Sequence, residues 1–179
     1  MNSKPGPILG SWLLTLSVHA DARGRFIESF QQKRFAEQTG LTINFIQDNE
    51  VISKQGVIRG LHVQNNPHGQ AKLIRVVQGH IYDVAVDLRT DSFTYGEWFG
   101  VELSAENQTQ LYLPKGFAHG YSVLSKKAIV QYKVDAPYSL QAETGIRYDD
   151  PNLGIDWHVD NPVLSEKDLK LPFFKDHNQ

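Results

Sequence analysis

Apolar and polar residues alternate with a period of two along most of this chain, in short runs cut by turn-forming positions. The alternation predicts strands over Trp12–Val18, Ile43–Gln47, Gly56–Val63, Ala71–Val77, His80–Arg89, Thr94–Leu103, Gln108–Leu113, Phe117–Leu124 and Ala128–Val134. The pattern is clearest in His80–Arg89, where Tyr82, Val84, Val86 and Leu88 share one face. Gly79, Asn107 and the Pro114-Lys115-Gly116 stretch supply turns. One short helix is expected over Gln31–Gln38, with Gly40 just past its end. The segment containing Pro151, Pro162 and Pro172 reads as irregular, with one helical turn near Ser165–Leu169. Many short strands and little helix indicate an all-β fold, a closed or double-sheet jelly-roll barrel, because closure removes exposed edges. The length of 179 residues fits a single domain spanning 1–179.

Several polar residues fall where alternation points them inward. Lys72 shares a face with Ile74 and Val76, Tyr132 with Val130 and Val134, and His119 lies between Phe117 and Tyr121. Taken singly, an inward His or Tyr reads as a hydrogen-bonded core residue, and Lys72 reads equally well with its face reversed. Three such groups on three strands of one barrel are better explained by a lined pocket. Arg59 and His62 stand three residues apart, so a regular strand places them on opposite faces; a bulge at the intervening Gly60 brings both to one side.

Composition narrows the chemistry. There is no cysteine, which excludes disulfides, thiolate nucleophiles and cysteine metal ligands. The formal net charge of −2, from 18 basic and 20 acidic side chains, gives no reason to expect a nucleic-acid partner. No apolar run approaches membrane-spanning length and no signal segment is evident, so neither membrane association nor export is expected and a cytoplasmic location follows. Pro114-Lys115-Gly116-Phe117-Ala118-His119 matches the second motif of the cupin barrels. In the first, Gly60-Leu61-His62-Val63-Gln64, glutamine replaces the second metal-binding histidine. With only His62 and His119 at ligand positions, no metal site is expected. His19, His68, His80, His158 and His177 read as surface residues, and Trp12, Trp98 and Trp157 as packing residues.

Longer runs are more specific. Asp21-Ala22-Arg23-Gly24-Arg25-Phe26-Ile27-Glu28, Phe45-Ile46-Gln47-Asp48-Asn49, Gly56-Val57-Ile58-Arg59-Gly60-Leu61-His62-Val63-Gln64, Gln70-Ala71-Lys72-Leu73-Ile74-Arg75-Val76, Asp83-Val84-Ala85-Val86-Asp87-Leu88-Arg89, the Pro114–Gly120 stretch and Leu164-Ser165-Glu166-Lys167-Asp168 together resemble the dTDP-4-dehydrorhamnose 3,5-epimerase family, in order and over nearly the whole chain. The resemblance implies a cupin-fold homodimer that acts without cofactor on dTDP-4-dehydro-6-deoxy-glucose. It implies His62 as general base, Asp168 as its carboxylate partner, Tyr132 as the acid on the opposite face of the sugar and Lys72 as the cation beside the C4 oxygen. Arg23 (from the other subunit), Arg59 and His119 correspond to diphosphate contacts. Phe26, Glu28, Gln47, Asn49, Glu143 and Lys167 correspond to further nucleotide-sugar contacts, and Tyr138 to the residue stacked on thymine. Asp83, Asp87 and Arg89 match as structural residues.

Two positions depart from the family pattern: Val51 where serine is common, and Tyr148 where tryptophan is frequent. The Val51 change makes an epimerase acting at C3 or C5 alone a rival reading. A sugar-nucleotide 3,4-ketoisomerase fits the Arg-Gly-Leu-His and Tyr132 pattern less well. A non-catalytic sugar-nucleotide binder would need none of His62, Asp168 and Tyr132.

Overall fold

A computed structural model describes residues 1–177; the last two positions of the expected 1–179 domain lie outside the described residues. The strands are β1 (Asn2–Pro5), β2 (Trp12–Thr15), β3 (Val18–Asp21), β4 (Gly24–Ile27), β5 (Gln47–Lys54), β6 (Ile58–Gln64), β7 (Lys72–Gln78), β8 (His80–Asp87), β9 (Trp98–Ser104), β10 (Thr109–Leu113), β11 (Phe117–Val123), β12 (Lys127–Val134) and β13 (Glu143–Gly145). Among the described residues there is a single α-helix, α1, which spans Gln32–Thr39. Two antiparallel sheets, ordered β1-β2-β10-β7-β12-β5 and β13-β6-β11-β8-β9, form the double-sheet barrel that the alternation predicts. Strands β3 and β4 form a hairpin of their own.

Both sheets are covered on their outer faces as well as on the inner ones. Between them lies a core that includes Ile74, Val76, Ile81, Ala85, Leu111, Phe117, Tyr121 and Val130. Outside the five-stranded sheet, Val84, Val86, Leu88 and Ala118 pack under the C-terminal segment through Ile146, Leu153 and Trp157. The apolar face of β8 therefore looks away from the barrel, while Asp83 and Asp87 share the opposite, inward-facing row with Ile81 and Ala85. Trp98 and Trp157 pin the cover by donating indole N–H bonds of 2.7 Å to the carbonyls of Leu153 and Tyr148. On the six-stranded sheet, Phe35 of α1 is buried with Leu14, Leu73 and Tyr112, and Phe30, Ile43 and Phe45 pack around them.

The helix forms one residue later than expected: the Gln31 side chain caps its start and Gly40, at φ 73°, ends it in the left-handed region. The strand expected over Ile43–Gln47 is a correction. Ile43 and Phe45 are part of the aromatic cover, and the strand begins at Gln47. Its polar stretch is held by β12, where Lys133 meets Asp48 at 2.7 Å and Gln131 meets Glu50 at 2.8 Å. The expected Trp12–Val18 strand stops at Thr15, because the chain leaves the sheet to build the β3–β4 hairpin. Thr94–Leu103 shortens to Trp98–Ser104, since Ser92 and Thr94 turn to hydrogen-bond the buried Asp87 carboxylate, each at 2.6 Å. Strands β1 and β13 carry no alternation of their own and form by pairing with β2 and β6. The expected helical turn is a 3₁₀ turn at Asp168–Lys170.

The bulge expected at Gly60 is present. Across β6 and β11, His62 pairs with His119 and Arg59 with Tyr121, so three residue steps on one strand match two on the other. Gly60 sits at φ 114°, and a Cβ there would come within 2.6 Å of the backbone of His119 and Gly120. Gly60→Ala is therefore expected to cost roughly 1–3 kcal/mol from the backbone conformation alone. At about 2–4 °C per kcal/mol for a chain of this size, a calorimetric melt reads the loss directly. An unchanged melting temperature would refute the requirement for glycine.

Candidate active site

The bulge lets one strand deliver two functional side chains to the space between the sheets. His62 is half-buried, and its Nε2 lies 2.7 Å from Oδ1 of Asp168, which the C-terminal 3₁₀ turn carries in and which is nearly sealed from solvent. Ser165 Oγ accepts from the backbone N–H of Asp168 at 3.1 Å and sets the turn. Burial alone would raise the Asp168 pKa, but the hydrogen bond and charge of His62, helped by Gly60 N–H and Ser165, hold it below the usual carboxylate value. Asp168 is thus ionised at neutral pH, able to orient the imidazole and stabilise its protonated form. Nδ1 of His62 remains for a substrate.

Arg59 donates through Nε to Ser53 Oγ on the facing sheet at 3.0 Å, while the residue as a whole stays exposed. Its charge also reaches Tyr121 and Tyr132. Tyr132, on β12, pairs in register with Asn49 of β5. Burial pushes its phenol above the ordinary value, and Glu143 adds to that while Arg59 opposes it, so the phenol keeps its proton at neutral pH. Lys72 opens β7, and its face follows Ile74 and Val76 inward, which decides the question the alternation left open. Burial lowers its ammonium to about 8 against the opposing pull of Asp83 and then Glu143. It makes no hydrogen bond or ion pair among the described residues.

On the neighbouring strands, His119 Nε2 lies 2.9 and 3.0 Å from the two oxygens of Asp83, both residues being buried. Glu143, on β13, accepts from Tyr138 at 2.5 Å and contacts Lys167. Burial works against its ionised form, but the bonds from Lys167 and Tyr138 outweigh burial and keep its pKa low. Nine of the expected residues or their partners thus stand around one interior: His62, Asp168, Tyr132, Lys72, Arg59, His119, Glu143, Lys167 and Asn49. Tyr138 is exposed beside them, and Gln47 donates to Asn49 at 2.8 Å. Within one chain Arg23, Phe26 and Glu28 are not part of this cluster. Arg23 pairs with Asp21 at 2.6 Å on the exposed hairpin, Phe26 is 68% exposed, and Glu28 pairs with Arg34 at 2.9 Å.

Sequence reasoning missed Ser53 and Tyr121. Ser53 shares the inward row of β5 with Val51, a signal hidden because the strand was expected too early in the chain. The Tyr121 hydroxyl is buried without a hydrogen bond of normal geometry, beside Ser53. Gln64, at the place of a cupin metal histidine, is buried and committed to the carbonyls of His68 and Pro137 at 2.7 and 3.2 Å. Of the five histidines expected at the surface, His80 and His177 are instead half-buried, since β9 and the C-terminal cover lie over them. Asp87 and Arg89 are structural as expected, joined at 2.7 Å and tied to the loop through Leu9, Ser92 and Thr94. No helix among the described residues is long and apolar enough to cross a membrane.

Residues 5–176 match the family model described as dTDP-4-dehydrorhamnose 3,5-epimerase. The chain belongs to that family. It is 50% identical to a dTDP-4-dehydrorhamnose 3,5-epimerase of Shigella flexneri over 159 residues, covering 89% of this chain and 88% of the relative. A dTDP-6-deoxy-D-glucose-3,5-epimerase of Legionella pneumophila, solved in complex with dTDP-4-keto-L-rhamnose, superposes with a TM-score of 0.93 at 44% identity, over 97% of this chain and 93% of that one. A Streptomyces niveus relative named dTDP-4-dehydrorhamnose 3-epimerase is 39% identical over 168 residues, 94% of this chain and 81% of its own. The epimerase family thus includes members named for one carbon as well as for two.

Proposed function

We propose that this chain converts dTDP-4-dehydro-6-deoxy-D-glucose to dTDP-4-dehydro-L-rhamnose by inverting C3 and C5. The observation that carries the reading is the His62–Asp168 pair on one side of the barrel interior, with Lys72 and Tyr132 supplied by the opposite sheet. C3 and C5 both flank the C4 ketone, so loss of either proton gives an enolate whose charge rests on O4. His62 removes the proton and Asp168 stabilises the resulting imidazolium. Lys72, whose ammonium has no hydrogen bond or ion pair among the described residues, meets the developing charge on O4 in a site of low dielectric. Tyr132 returns a proton from the other face, which inverts the carbon. Every step uses a side chain of the protein, so the reading calls for no metal and no redox cofactor. Arg59 suits one end of the diphosphate through its planar fork, with His119 as a second contact. Gln47, Asn49, Glu143 and Lys167 line the nucleotide-sugar path, and Tyr138 offers its ring to the thymine.

The same reading makes the working unit a cytoplasmic homodimer. A two-stranded hairpin is marginal by itself, and the exposed β3–β4 hairpin carries Arg23 and Phe26, with Glu28 just beyond. A second copy would cover these residues and receive Arg23 at its diphosphate.

Incubation with the 4-keto sugar nucleotide in deuterated water, followed by NMR, tests the assignment. Deuterium is expected at both C3 and C5. Incorporation at one carbon would instead establish the second reading, a single-site epimerase, which Val51 on the inward row of β5 and the Streptomyces relative favour. Tight binding with no exchange would leave only a sugar-nucleotide binding module.

A further inference from the structure

Ser53 is 4% exposed on the inward row of β5, and its backbone is already paired with Ala128 of β12. The sheet asks nothing further of its side chain, and alanine would fill the row as well. Its hydroxyl nevertheless accepts the Nε–H of Arg59 at 3.0 Å, a bond that runs from one sheet to the other. Tyr121, which pairs with Arg59 in register and belongs to the core between the sheets, fixes the side of β6 from which Arg59 leaves. The bond is not what holds the corner between β5 and β6. That corner, residues 55–57, is fastened by main-chain bonds from Gln55 N–H to Lys126, from Gly56 N–H to Val123 and from Val123 N–H to Val57. Nor does the bond belong to a wider network, since the Arg59 side chain makes no ion pair and no other hydrogen bond among the described residues.

What the bond does is fix a long side chain that otherwise stands in solvent. The guanidinium is a planar fork of five N–H donors. With Nε committed to Ser53, the edge left for a ligand is the outer one, where the N–H bonds of Nη1 and Nη2 run parallel and match two oxygens of one phosphate. An untied arginine offers either edge and loses rotamer freedom when it binds. One held at Nε has lost much of that freedom beforehand.

We propose that Ser53 is a positioning residue for substrate binding: by holding Arg59 at Nε, it presents the Nη1–Nη2 edge to the diphosphate of the sugar nucleotide. The inference rests on the reading of Arg59 as a diphosphate contact given above. It makes Ser53 a determinant of affinity rather than of proton transfer, because the hydroxyl acts only through Arg59, and Arg59 exchanges no proton with the sugar.

Ser53→Ala is expected to raise both KM for the 4-keto sugar nucleotide and the calorimetric Kd for dTDP by roughly three- to tenfold, the scale of immobilising one long side chain on binding. The value of kcat should stay within about twofold of wild type, the signature of lost binding shared by ground and transition states. Water replaces the hydroxyl at the exposed Arg59, so the melting temperature is expected to stay close to that of wild type. A double variant separates positioning from folding. Arg59→Met removes the cation itself, and adding Ser53→Ala to it should change Kd by less than about twofold, because no guanidinium remains to be placed. If Ser53 served the fold alone, Ser53→Ala would lower the melting temperature and kcat equally with or without Arg59, and that result overturns the proposal. A dTDP affinity untouched by Ser53→Ala overturns it too. Should Arg59→Met bind dTDP as tightly as wild type, the diphosphate role of Arg59 itself falls, an outcome distinct from a Ser53 that fails to act through it.

Discussion

His62→Ala is expected to abolish deuterium incorporation at both C3 and C5 while leaving dTDP affinity nearly unchanged. Its imidazole has the Asp168 carboxylate on Nε2 at 2.7 Å and an open Nδ1. His119, which is buried, has its Nε2 committed to both oxygens of Asp83. General acid–base catalysis by a positioned group contributes about 10²–10⁴-fold, and here one base serves both carbons, so both exchanges fall together. Binding survives because the diphosphate contacts assigned to Arg59 and His119 are untouched. Calorimetric titration with dTDP alongside the NMR exchange assay separates the two effects. Exchange at either carbon at the wild-type rate would show that another group removes that proton.

Replacing Lys72 by methionine is expected to lower kcat by roughly 10²–10³, the scale of about 2.7–4 kcal/mol seen when a preorganised donor to a developing oxyanion is removed. The argument is electrostatic. A cation held in a water-poor interior interacts with new charge on O4 far more strongly than it would in water, and it pays no reorganisation at the moment of proton transfer. Methionine has similar length and suits the apolar row of Ile74 and Val76, so the substitution removes the charge without opening a cavity. Because burial disfavours the ammonium, this variant should melt close to the wild-type temperature, which separates lost catalysis from lost folding. A kcat within about threefold of wild type would dismiss Lys72 as the partner of the enolate.

The sequence by itself determined the barrel and the helix to within a residue, and it singled out the side chains proposed for the chemistry. Alternation in Ala71–Val77 and Ala128–Val134 was enough to put Lys72 on one row with Ile74 and Val76 and Tyr132 with Val130 and Val134, because a side-chain period of two is a property of the extended backbone; which row of β7 faces inward was left to the structure. A bulge at Gly60 was legible as a hypothesis, since a straight strand would put Arg59 and His62 on opposite faces. Three things belonged to the tertiary structure. Strands β5 and β13 have no apolar alternation and form because β12 and β6 offer unpaired backbone groups beside them. The inward row of β8 proved to be the one carrying Asp83, since the apolar row of Val84 and Val86 is buried under the C-terminal cover; a strand buried on both faces does not reveal from its own pattern which side is the barrel. Finally, only the fold brought Asp168 to His62 across a separation of 106 residues. Charges far apart in the chain acquire their pKa values from burial and from one another, and neither exists before the sheets close.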